Sequence, residues 1–173
     1  MIRLLLWVLG GTLLGGIVHL ATVLILPNLA SQDAYSRFAP IAPVNAVASL
    51  PPPSAEGSLI PFLDPAFAMA VCRYDLTDGP IKLSVPVSPA YTSVSFYTRA
   101  EVAYYAINDR AAGRRVIELD LMTSEQRNDL PGDEEVTAAD RLIVIKALAP
   151  EQGHMPAARN ALAGARCQLQ PQQ

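Results

Sequence analysis

The 173-residue chain holds few residues whose type and spacing suit chemistry: two histidines, two cysteines and one cluster of tyrosines with polar neighbours. A serine or cysteine nucleophile needs a base beside it, usually a histidine. His19 lies inside an uncharged apolar run and His154 at the start of an expected terminal helix, so neither stands in a catalytic pattern. No GxSxG, P-loop or dinucleotide fingerprint occurs. Cys72 and Cys167 lie far apart and outside any CxxC pair, so metal-ligand spacing is absent and neither a metal nor another cofactor is expected. The acidic group Asp129, Asp133, Glu134 and Glu135 could hold a cation but reads first as a solvated charge run on a loop. The densest polar and aromatic set is Tyr104, Tyr105, Asn108, Asp109 and Arg110. At a strand end such a set could line a ligand cleft; the competing reading packs one tyrosine in the core and makes a turn of Asn-Asp-Arg. No catalytic residue is assigned.

The elements that must position these residues begin with the N-terminal run. Residues 4–26 (LLLWVLGGTLLGGIVHLATVLIL) contain no Lys, Arg, Asp or Glu, and at about 1.5 Å per residue they are long enough to cross the roughly 30 Å hydrocarbon core of a bilayer. Arg3 precedes the run and the next basic residue is Arg37, so the positive-inside rule keeps the N-terminus in the cytoplasm and exports the rest of the chain. The apolar core is too long for a cleaved signal peptide, the rival reading, so residues 1–27 are expected to be a single-pass signal anchor. Gly11, Gly15 and His19 recur every four residues on one face, where small residues let another membrane helix approach closely. His19 extends that face as a hydrogen-bonding group for a partner helix, as a ligand to a haem-type or chlorophyll-type cofactor, or as a neutral imidazole reaching toward the headgroups.

Residues 28–58 read as a short amphipathic helix, with Leu29, Tyr35 and Phe38 among polar residues, followed by a proline-rich spacer or strap. The exported domain is expected over 59–173. Strands are expected at 66–76, 81–87, 91–98, 102–107, 116–122 and 140–148, the last being the most apolar and therefore central. In 91–98 the phase of Val94 and Phe96 against Ser93 and Ser95 calls for a bulge. A terminal helix is expected over 151–165, followed by a frayed tail. Short strands joined by hairpin-length connections, without crossover helices, argue a mainly β fold, an antiparallel sandwich or partly open barrel, with one helix at each end. In an oxidising compartment Cys72 and Cys167 would form a disulfide between the tail and an early strand; two separately buried thiols are the alternative. A net charge of −3 offers no basic footprint for nucleic acid.

The run 64–115 also resembles a bacterial membrane-anchored family catalogued as domain of unknown function 1254. The resemblance rests on the turn Asp75-Leu76-Thr77-Asp78-Gly79-Pro80, the strand end Val85-Pro86, the strand opening Tyr91-Thr92-Ser93-Val94 and the loop from Asn108 to Gly113. It implies a bacterial inner-membrane protein with a periplasmic domain. Longer members continue into a second β-rich domain, which implies that a separate chain carrying that half is a partner here. The expected protein is thus a non-enzymatic subunit or scaffold of a membrane complex, touching the bilayer and another membrane protein. The alternative is an envelope ligand-binding module or enzyme using the Tyr104 to Arg110 cleft.

Overall fold

The computed structural model describes residues 1–29, 33–52, 63–98, 101–127, 135–137 and 142–170. The chain forms two units, Met1–Asp33 and Ala34–Gln173. The first consists of α1 (Ile2–Leu29), whose stretch Ile2–Leu26 is long and apolar enough to cross a membrane. Its threonines do not break the apolar surface, because the Thr12 and Thr22 hydroxyls donate to the carbonyls of Val8 and Val18 at 2.9 and 2.8 Å.

The second unit is a two-sheet β-sandwich. After a single helical turn, α2 (Ala34–Arg37), come β1 (Ala46–Ser49), β2 (Phe67–Arg73), β3 (Ile81–Pro86), β4 (Thr92–Tyr97) and β5 (Ala103–Asn108). A second turn, α3 (Asp109–Ala112), leads to β6 (Val116–Met122); next come α4 (Ser124–Arg127), β7 (Glu135–Thr137) and β8 (Leu142–Leu148). A 3-10 turn opens α5 (Met155–Ala163), and β9 (Arg166–Leu169) ends the fold. One sheet has the order β1-β2-β8-β4-β5 and the other β7-β6-β3-β9. Among the described residues the strand pairings are antiparallel except β6 with β7. β8, apolar at every position but Lys146, is central in its sheet.

Alternation explains which face each strand buries. Ile81, Leu83 and Val85 of β3 and Ile117, Leu119 and Leu121 of β6 point inward, while Lys82 and Glu118 are exposed. They meet Val94 and Phe96 of β4 and Ile143 and Ile145 of β8, and Ala158 and Leu162 of α5 join the same core. The turn between β2 and β3 depends on Gly79, which adopts at little cost a φ of 138° that residues with a side chain rarely take. β4 alternates strictly, with Thr92, Val94 and Phe96 buried, so the expected bulge is not in this strand. It lies across the hairpin: Phe96 pairs with Tyr105 and Tyr97 with Ala103, leaving Tyr104 as the extra residue of β5.

Three strands had no counterpart among those expected: β1, β7 and β9. β1 belongs to the stretch read as spacer or strap, and it pairs along β2 from Ala46 opposite Arg73 to Ser49 opposite Ala70. Of the amphipathic helix expected from residue 28, Asn28 and Leu29 end α1 and the single turn α2 is the other helical part among the described residues. Residues 34–42 lie over the outer face of the five-stranded sheet, where Phe38 and Ala42 are buried with Val71 and Leu142. Burying a phenylalanine contributes about 1.5–3 kcal/mol, which fixes this segment to the domain. β9 takes in Arg166, Cys167 and the first two residues of the expected frayed tail, pairing with β3 and placing Cys167 inward, and residues 171–173 lie outside the described residues.

Candidate functional site

The tyrosine cluster is built into the edge of the sandwich. The bulge turns Tyr104 and Tyr105 toward the same ring, Phe96, with centroid distances of 6.2 and 5.6 Å. Tyr104, 38% exposed, carries its hydroxyl to within 3.0 Å of the hydroxyl of Tyr74, which is 1% exposed. Asn108 caps α3, its side-chain oxygen accepting from the Ala111 N–H at 2.9 Å. Asp109 accepts from the Thr92 N–H at 3.4 Å, and Gly113 closes the turn in the left-handed region at φ 60°. Arg110 is exposed. The Asn-Asp-Arg segment is therefore a capped turn, and none of the five residues lines any of the three described cavities.

Gly11, Gly15 and His19 all lie on α1 and are exposed. A Cβ built on Gly11 or Gly15 meets nothing within 4 Å. Cys72 of β2 and Cys167 of β9 are joined, with their sulfurs 2.10 Å and their Cα atoms 6.6 Å apart, so the disulfide ties one sheet to the other. His154 is exposed in the 3-10 turn. Asp129, Asp133 and Glu134 lie outside the described residues, and among the described residues no three His, Cys, Asp or Glu converge as metal ligands.

A feature that sequence reasoning missed centres on Arg73. Its guanidinium donates to the Ala42 carbonyl at 3.0 Å and stacks over the Tyr35 ring at 4.2 Å from the centroid. The backbone adds to this clamp: the Asn45 N–H donates to the Arg73 carbonyl at 2.7 Å, with Asn45 at φ 59°. Beside the clamp lies a cavity of about 230 Å³ with Phe38, Met69, Tyr97, Leu142 and Val144 in its wall and the charged residues Arg37, Glu101 and Lys146 around it. A larger hollow of about 360 Å³ lies between β1, β2 and α5, lined by Leu50, Met155 and Leu162 with Arg159 among the polar residues. The signal available in sequence was the pairing of Tyr35 and Phe38 with Arg37, the first cation after the apolar run.

Fold and site together define a disulfide-tied antiparallel β-sandwich accompanied by an N-terminal helix of membrane-spanning length. No family profile matches the chain, and no curated protein does. Among solved structures it is similar to the VPA0106 protein from Vibrio parahaemolyticus, with a TM-score of 0.60 at 16% identity, over 79% of this chain and 34% of that one. An uncharacterised protein from Burkholderia cenocepacia matches with a TM-score of 0.47 at 16% identity, over 66% of this chain and 33% of that one. The chain thus spans about a third of the length of the solved chains it matches, and at this identity the likeness to VPA0106 is one of fold.

Proposed function

We propose that this chain is a non-enzymatic, single-span envelope protein that serves as a subunit or scaffold of a membrane protein complex. In this reading α1 anchors it in a bacterial inner membrane with the N-terminus in the cytoplasm, and the sandwich lies in the periplasm. The observation that carries the proposal is the Gly11/Gly15 face of α1, where the described chain places nothing over either glycine. Glycines lower helix stability by roughly 0.5–1 kcal/mol each relative to alanine, and close approach of a second helix backbone offsets that cost. His19, four residues on, supplies a hydrogen bond to the same partner. The disulfide supports an oxidising compartment.

A partner chain carrying a second β-domain is supported by the resemblance of 64–115 to domain of unknown function 1254. The ligand-module reading built on Tyr104 to Arg110 has less support, because Tyr104, Asn108 and Asp109 engage groups within the fold. Purification of the full chain from detergent-solubilised membranes is expected to bring down another membrane protein, and the double substitution Gly11→Leu/Gly15→Leu to release it without changing the domain's melting. A monodisperse monomer with no co-purifying membrane protein would refute the proposal.

A further inference from the structure

We propose that the 230 Å³ cavity on the outer face of the five-stranded sheet binds a single-chain anionic amphiphile of medium length, with the acyl chain on the apolar floor and the head at Arg37 and Lys146. The floor is made by Phe38 of the segment after α2, Met69 of β2, Leu142 and Val144 of β8, and Tyr97 of β4. β2, β8 and β4 are all internal strands, each paired on both sides. Their backbone groups are thus occupied by the ladder, and an extended peptide finds no edge to join. An alkyl chain asks for no hydrogen bonds and gains from apolar contact alone. At about 30 Å³ per water-sized group, 230 Å³ accepts about eight such groups, the length of a medium acyl chain.

The rim sets the sign of the head group. Arg37 is exposed and Lys146 half-buried, and among the described residues neither makes an ion pair. Glu101, placed on the β4–β5 hairpin at φ 62°, brings one carboxylate, so the rim carries net charge +1. Two cations over an apolar floor fit a carboxylate or phosphate head and repel a quaternary ammonium. The source is membrane-derived amphiphile released from the bilayer as a single chain. In sequence Ala34 of the cavity wall follows the end of α1 at Leu29 by five residues, so in the reading of α1 as an anchor the chain is held at a source of such amphiphiles.

The test is photolabelling of the full chain in phosphatidylcholine nanodiscs with a diazirine-bearing decanoate, followed by peptide mapping. Labels are expected on the peptides around Phe38, Met69 and Val144, to be competed by decanoate and decyl phosphate but not by butyrate or decyltrimethylammonium. Arg37→Glu and Lys146→Glu, both on solvent-accessible side chains, should each lower labelling about tenfold with an unchanged melting temperature, and Val144→Trp should abolish it by filling the floor. Gly11→Leu/Gly15→Leu should leave labelling intact, which separates failure here from failure of the complex reading. Labelling that ignores both charge reversals, or that maps elsewhere, overturns the proposal. So does its loss in discs of phosphatidylglycerol, which would assign the cavity to a two-chain bilayer lipid.

Discussion

Replacing both Cys72 and Cys167 by alanine removes the covalent tie between the two sheets and measures what that tie contributes. The two cysteines are 95 residues apart in sequence, and Cys72 and Cys167 are both buried. In the chain-entropy treatment a loop of about that length restricts the unfolded chain enough to contribute about 4.7 kcal/mol. The unit Ala34–Gln173 comprises 140 residues. At an unfolding entropy of about 2.1 cal/mol/K per residue, its total is roughly 0.3 kcal/mol/K, so the double variant should melt about 15 °C lower. Circular dichroism of the full chain in a mild detergent reads this directly, and reductant added to the wild type should lower its midpoint to near that of the variant. Either single substitution should cost about as much as the double, since one missing sulfur already opens the loop. A fall of under about 4 °C would refute the reasoning, because it would mean that the packed core holds the sheets together with no help from the bond.

Two other contacts can be tested by substitution. In a double-mutant cycle, Tyr74→Phe and Tyr104→Phe should couple by about 0.5–1.5 kcal/mol, as expected for a hydroxyl pair 3.0 Å apart, with urea unfolding as the measurement; additive losses would show that the bond contributes nothing. Arg73→Met keeps the apolar stem but removes the hydrogen bond to Ala42 and the stacking on Tyr35, and should cost about 1–3 kcal/mol. That loss should register as faster amide exchange across residues 34–45 while β3 and β6 stay protected, and a uniform change across the domain would contradict the clamp.

The strands legible in sequence are those whose own pattern carries the signal. Ile81-Lys82-Leu83-Ser84-Val85 and Ile117-Glu118-Leu119-Asp120-Leu121 alternate so clearly that a half-buried strand is their natural reading, and the folded pairing joins the two along their length. β1 (Ala-Val-Ala-Ser) and β9 (Arg-Cys-Gln-Leu) are four residues each, too short for a period to stand out. Their conformation comes from outside: β1 completes the edge of β2, and β9 is held by β3 and by the disulfide. The bulge lies in β5 and not in β4, whose residues show the phase conflict. A count of apolar and polar residues in 91–98 detects that the hairpin is out of step, but which strand absorbs the extra residue is decided by packing. Tyr104 absorbs it because its ring and hydroxyl can reach Phe96 and Tyr74.

The same logic explains why the densest polar stretch of the chain is taken up by contacts within the fold. Residues close in sequence have their polar atoms within reach of the local backbone, and Asn and Asp at a strand end are drawn to it as caps and turn formers. Asn108 and Asp109 take that course, binding Ala111 and Thr92, and so are engaged within the fold. A cavity collects side chains that the local backbone cannot satisfy, and these come from distant stretches. Arg37, Glu101 and Lys146 belong to a helical turn, a hairpin and a central strand, and only the folding of 34–42 over the sheet brings them around one hollow. Their chemistry is visible in the sequence as three isolated charges; their convergence is a property of Phe38 and Arg73, which dock that segment and which no local pattern marks as functional.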